Sequence, residues 1–180
     1  VPVAFQLIYN EFDHTFVISA IITITFGILF FLSNIDHLKS ISTQQAFLLT
    51  ALSWMSIAIF GSLPFFFSNL NLSITDSFFE SMSGITTTGA TILNNIENSP
   101  KGILIWRAML QWLGGIGVIL MAITLMPIMN IGGMQLLKIS SNDTSEKILP
   151  KSKQISLRLI TVYFSLTLMC SISVSYTHLR

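Results

Sequence analysis

Ser83-Gly84-Ile85-Thr86-Thr87-Thr88-Gly89-Ala90-Thr91 is a polar, glycine-punctuated stretch between two segments apolar enough to cross a membrane. No other feature limits so strongly what the chain can fold into. Backbone without regular hydrogen bonding is costly in hydrocarbon. Irregular chain at membrane depth therefore persists only where protein buries it or where it lines a water-filled path. Gly84 and Gly89 lack a Cβ and reach backbone angles closed to other residues, so the run between them is expected to turn sharply or to aim several carbonyls one way. Three successive threonines add hydroxyls to those carbonyls. The stretch is a candidate ion or solute site.

Composition sets the class. Of 180 residues, 52% are hydrophobic and only 9% charged, against roughly 25% charged in a soluble domain. Mean hydropathy is +0.73. The reading is an all-α polytopic membrane protein. A net charge of +1 gives no sign of a nucleic-acid partner, and the lone Cys170, in an apolar run, supports neither a disulfide framework nor a thiolate metal cluster. The N-terminus has no basic segment before an apolar core and does not resemble a signal peptide. It reads as the tail of a helix begun upstream, and the apolar run through Val174 breaks off without a cap, so the chain is expected to be a fragment at both ends.

Val1 to Tyr9 is too short for the ~20 residues of a crossing helix. His14, in the polar break that follows, has no second histidine or carboxylate pair at helical spacing and reads as a solvated loop residue. Phe16 to Leu32 is the first span, and the connection Asn34 to Gln45 ends in Ser42 and Thr43, either of which can cap the second span, Ala46 to Phe67. Thr75 to Met82, with a capping threonine and Asp76 in its first turn, reads as a helix of about two turns leading into the threonine-glycine stretch. The third span is Ile103 to Met129. Its Gly114-Gly115-Ile116-Gly117 suits close helix packing, and Met121, Met126 and Met129 read as packing rather than as a metal box. A polar stretch from Asn130 to Lys153 precedes a fourth span from Ile155 to Val174.

Lys138, Lys147, Lys151, Lys153 and Arg158 gather between the third and fourth spans, which marks that side as cytoplasmic. Lys39 then falls on the same side, and Glu11, Asp13, Asp76, Glu80 and Glu97 on the outer side, partly offset by Lys101 and Arg107. A negative outer mouth would concentrate cations, although ordinary solvated loop acids account for the same pattern.

Span, short re-entrant helix, extended Thr-Thr-Gly strand, span is the building plan of a cation pore. A potassium ion sheds its water only where a cage of oxygens replaces it, and successive carbonyls of an extended loop form such rings when several copies meet on an axis. Gly89 is the strongest single candidate, since it can turn its own carbonyl and its neighbour's into the pore. The Thr87 hydroxyl can add an oxygen at the inner end.

Asp76 through Thr91, followed by Trp106-Arg107-Ala108-Met109-Leu110-Gln111-Trp112-Leu113-Gly114-Gly115-Ile116-Gly117, resembles the first pore repeat of the Trk/Ktr/HKT potassium transporters, and within them the bacterial TrkH type. Gly61-Ser62-Leu63-Pro64-Phe65 and Ile131-Gly132-Gly133-Met134-Gln135-Leu136 extend the likeness over nearly the whole chain. The resemblance implies a potassium-channel-like cation transporter fold of four linked helix–pore-loop–helix (M1-P-M2) repeats around one pore in the bacterial inner membrane. It assigns residues 1–45 to extra N-terminal helices and a cytoplasmic connection, 46–129 to the first repeat, 130–153 to a cytoplasmic linker and 154–180 to the start of a second repeat. The pore helix would run from about residue 75 to 83 and the filter from about 86 to 91. By likeness, Thr87, Thr88, Gly89 and Ala90 supply ion-facing oxygens, with potassium at Thr87, Thr88 and Gly89, and Thr86, Thr91 and Gly84 support the strand. The family also implies a homodimer gated by a cytosolic nucleotide-binding TrkA-like subunit, and no organic cofactor in this chain. With one filter strand of four, the chain alone is not expected to conduct.

Two rivals stand beside the pore. An alternating-access carrier with a re-entrant substrate loop needs an inverted repeat, whereas the pore needs further same-orientation repeats. An intramembrane enzyme with a threonine or serine nucleophile lacks a membrane-buried base near Thr86 to Thr88, because His14 and His37 fall on opposite sides of the membrane.

Overall fold

A computed structural model of the chain describes residues 2–9, 13–33, 42–93, 96, 99–129 and 148–178. These form helices α1 (Pro2–Ile8), α2 (Thr15–Ser33), α3 (Thr43–Phe67), α4 (Ile74–Ile85), α5 (Lys101–Met129) and α6 (Ile148–His178), and no strand occurs among the described residues. Four segments, Thr15–Ser33, Gln44–Phe67, Lys101–Ala122 and Ile155–Thr177, are long and apolar enough to cross a membrane. The chain is an all-α polytopic membrane protein. Glu11, Lys39, His37, Glu97, Lys138, Lys147 and the 131–136 motif lie outside the described residues.

The spans are rich in β-branched residues that are indifferent helix formers in water. In hydrocarbon the helix wins, because it satisfies every backbone group within the segment. Hydroxyls inside the spans follow the same rule by bonding the carbonyl one turn back: Ser19 to Thr15, Thr23 to Ser19 and Thr50 to Ala46, at 2.7–2.8 Å. Ser42 caps α3 through a reciprocal box, its hydroxyl accepting from the Gln45 amide while the Gln45 side chain accepts from the Ser42 amide. Helix α6 starts at Ile148, ahead of the expected Ile155, with Pro150 tolerated in its first turn.

The chain divides into two units, Val1–Gly115 and Ile116–Arg180. In the first, α3 packs against α2 and, more extensively, against α4. Its core joins Phe16, Ala58, Phe65, Ile85, Ile103 and Leu110, with Trp54, Phe78, Met82 and Trp106 at the margin. The Trp106 indole nitrogen donates to the Gly61 carbonyl at 2.9 Å, fastening α5 to α3. In the second unit the described side chains of α6 are exposed or half-buried along its whole apolar length.

Helix α4 differs from the sequence reading in length and polarity. It has 12 residues, a little over three turns at ~3.6 residues each. Its cap is Ser73 rather than Thr75. The Ser73 hydroxyl accepts from the Asp76 amide, and the Asp76 carboxylate accepts from the Ser73 amide. The helix is inside out by the standard of a soluble protein. Ser77, Glu80, Ser81 and Gly84, at helical spacing, form its buried face, whereas Ile74 and Phe79 are exposed. Ser77 and Ser81 contribute small size rather than hydrogen bonds, as neither hydroxyl has a partner among the described residues.

Candidate functional site

Helix α4 ends on the threonine run, and the manner of its ending builds the site. The Thr88 amide donates to the Ser83 carbonyl at 3.1 Å and the Thr87 amide to that of Gly84 at 3.0 Å, the paired bonds of a Schellman motif. That motif demands a left-handed residue, usually glycine. Thr87 holds the position with φ 57°. Gly84, expected to be one pivot of the turn, is instead the penultimate residue of the helix and packs against Leu110. The second left-handed residue is Gly89, with φ 78°.

From Thr86 to Ile92 the chain is non-helical and exposed. The Thr86 hydroxyl donates to the Met82 carbonyl at 2.7 Å and lies 2.8 Å from the Thr88 hydroxyl. Among the described residues the carbonyls of Thr86, Thr87 and Thr88 accept no hydrogen bond, so their lone pairs stay available on an exposed turn. The carbonyls of Gly89 and Ala90 are engaged. Both accept from Nη2 of Arg107 at 3.1 Å. Ala90 also accepts from the Ser83 hydroxyl at 2.6 Å. A carbonyl oxygen has two lone pairs, so Gly89 keeps one free and Ala90 none.

Glu80 closes the arrangement from behind. It is fully buried, one carboxylate oxygen accepting from the Thr91 hydroxyl and the Ile92 amide at 2.6 Å each. The other pairs with Nε of Arg107 at 3.0 Å. Neither residue belongs to a solvated outer mouth, where the charge pattern put them. A buried charge requires an opposite charge and its full set of hydrogen bonds, and each supplies that to the other. The signal was present in the sequence. Arg107 stands inside an apolar span and Glu80 on the small-residue face of the short helix before the threonine run, and an ionisable residue in such surroundings marks function and calls for a named partner.

Of the expected site residues, Thr86, Thr87, Thr88, Gly89, Ala90 and Thr91 fall on this one turn, while Gly84 serves helix packing. Glu80 and Arg107 join them as residues that sequence reasoning did not assign to the site, and Ser83, the first residue of the candidate stretch, takes a specific part through its bond to Ala90. Gly114 also contributes, through its contact with α4 rather than with another span: a Cβ there would overlap the Ile85 carbonyl.

Helices long and apolar enough to cross a membrane, with an exposed, carbonyl-rich turn between two of them, define a polytopic membrane protein with a polar site between its spans. More particularly, the chain belongs to the TrkH family of cation transport proteins, whose profile matches residues 13–177. The Trk system potassium uptake protein TrkH of Vibrio parahaemolyticus is 37% identical over 176 residues, covering 96% of this chain and 36% of that protein. The Trk system potassium uptake protein TrkI of Halomonas elongata is 42% identical over 134 residues, 74% of this chain and 27% of that one. The crystal structure of the potassium transporter TrkH from Vibrio parahaemolyticus matches with a TM-score of 0.76 at 32% identity, covering 98% of this chain and 35% of its own. The chain thus spans little more than a third of these TrkH relatives. All are named for potassium uptake or transport rather than for catalysis.

Proposed function

We propose that this chain is part of the pore-forming membrane subunit of a Trk-type potassium uptake system in the bacterial inner membrane, and that it provides the first of four selectivity-filter strands. The observation that carries the reading is the turn after α4, where the carbonyls of Thr87 and Thr88 are unengaged and exposed while the backbone on either side is tied down. Such oxygens can replace the water of a potassium ion at little reorganisation cost. Potassium is assigned to the oxygens of Thr87, Thr88 and the free lone pair of Gly89. Ala90, its acceptors filled, anchors the strand, with Thr86, Thr91 and Gly84 in support. The negative end of the α4 dipole points at the same turn and favours a cation there.

In this reading residues 46–129 form one M1-P-M2 repeat, 1–45 precede it, 130–153 make a cytoplasmic linker, and residues from 154 begin the next repeat. The complete protein works as a homodimer with a cytosolic nucleotide-binding TrkA-like subunit. The words "Trk system" in the relatives' names support a system of which this membrane protein is one part; the homodimer and the TrkA-like subunit rest on the family resemblance. The carrier reading has no observation of its own in its favour.

The test is rescue of a potassium-uptake-deficient bacterium by the full-length protein, with Gly89→Ser beside it. Rescue by the parent, with lost uptake or a lowered preference for potassium over sodium in the variant, is the expected result. An unchanged preference in Gly89→Ser removes the assigned role of the strand.

A further inference from the structure

Arg107 makes three contacts that belong to different parts of the structure. Its Nε holds the buried carboxylate of α4, and its Nη2 holds two successive carbonyls of the turn. Neighbouring carbonyls in a regular extended strand point to opposite sides. Here the left-handed angle at Gly89 brings two of them onto one nitrogen. Glu80 meets the same strand one residue further on, at Thr91 and Ile92. The strand from 89 to 92 is thus held at four consecutive residues by one ion pair, and the free carbonyls of Thr87 and Thr88 begin where that grip ends.

We propose that Glu80 and Arg107 are positioning residues that set cation preference: Arg107 fixes the direction of the Gly89 and Ala90 carbonyls, and Glu80 neutralises the guanidinium so that a cation can occupy the adjacent oxygens. This rests on reading the turn as a filter strand. Two consequences separate. Geometry depends on the planar fork of arginine, which can address a carboxylate and a carbonyl pair at once, whereas a lysine ammonium is a point donor. Cation occupancy depends on charge. The Arg107 side chain is only 16% exposed and Glu80 is fully buried, so water does little to screen a guanidinium that has lost its partner.

The experiment uses the full-length protein in membrane vesicles, with uptake measured against potassium concentration and against competing sodium, and with membrane abundance quantified for each variant. R107K keeps the charge and loses the fork. It is expected to lose about tenfold in preference for potassium over sodium, the scale of one charge-assisted hydrogen bond, and to change less in KM for potassium. E80Q leaves an unneutralised cation beside the strand and should raise the KM for potassium about tenfold. E80Q/R107Q removes both charges and should recover part of that KM loss while its preference stays low. A purely structural pair would instead make the double variant at least as poor as E80Q in KM. That result, or an unchanged preference in R107K at normal abundance, overturns the proposal. If the Glu80 variants fail to reach the membrane, the preference of R107K decides alone. Gly89→Ser separates the two levels. If it too leaves preference unchanged, the filter reading falls; if it alters preference while R107K does not, only the role of the ion pair falls.

Discussion

The backbone of α5 at Gly114 lies against the carbonyl of Ile85, so closely that no side chain fits between them. Ile85 is the last residue of α4, and the turn that follows begins at the next residue. The starting point of the candidate filter strand is therefore set by backbone-on-backbone contact. A flexible side chain could yield under load, whereas two helical backbones move only together.

Gly114→Ala is expected to destabilise the full-length protein by at least the ~1–3 kcal/mol of ordinary overpacking, because the obstructing atom is backbone. Gly27→Ala, on α2, is the matched control. Nothing lies within 4 Å of a Cβ added there, and exchanging glycine for alanine in a helix gains about 0.5–1 kcal/mol. Thermal melts in detergent compare the two. A Gly114→Ala melt that matches the parent contradicts the contact.

Thr87 occupies a left-handed position that costs a branched residue about 1–2 kcal/mol. Thr87→Gly should therefore raise the melting temperature. The gain is confined to this residue, since Thr88 lies outside the left-handed region and Thr88→Gly should lower stability through added freedom in the unfolded chain. Equal effects of the two substitutions in the same melt would show that Thr87 bears no strain.

Breaking a buried ion pair by removing one partner costs about 3–5 kcal/mol. The two single losses should differ in size. Arg107→Leu leaves the fully buried Glu80 carboxylate with neutral donors alone, whereas Glu80→Gln leaves a less deeply buried arginine that keeps the Gly89 and Ala90 carbonyls as acceptors. Arg107→Leu is expected to be the more damaging in denaturation assays, and combining it with Glu80→Gln should cost less than the sum of the two. Additive losses would mean that the residues do not act as a pair.

The two capping boxes offer a milder comparison. Ser42→Ala and Ser73→Ala each remove a side-chain acceptor from a helix start, worth ~1 kcal/mol. The α4 cap is expected to matter more for uptake, because α4 carries the turn, whereas the two caps should affect stability alike. Uptake lowered equally by both would sever the link between the α4 start and the site.

The spans were legible because their signal is one-dimensional: a long apolar run in a membrane protein has few alternatives to a helix. A cap at Ser42 or Thr43, of which the structure uses Ser42, and the position of the threonine-glycine turn were legible for the same local reason. The role of Ser73 was less so, since Thr75 stands two residues on with the same chemistry, and only the observed reciprocal bonds with Asp76 separate them. Glu80 and Arg107 were misplaced because they are 27 residues apart in the chain. A charge count by loop assigns each to a solvent face on its own, and nothing local reveals that each neutralises the other.

Residue order and composition suffice to show that this chain lives in a membrane, that four of its segments can span one, and that a polar turn between the second and third spans needs protein or water around it. Those conclusions follow from transfer free energy and from backbone hydrogen bonding, which depend on composition and order alone. Which oxygens of the turn are free is settled in three dimensions. That choice depends on where Ser83, Glu80 and Arg107 arrive in space, on the left-handed angles at Thr87 and Gly89, and on the absence of a side chain at Gly114. A carbonyl's direction is fixed by its hydrogen-bond donors, and here the donors are Ser83 on the helix before the turn and Arg107 on a helix later in the chain.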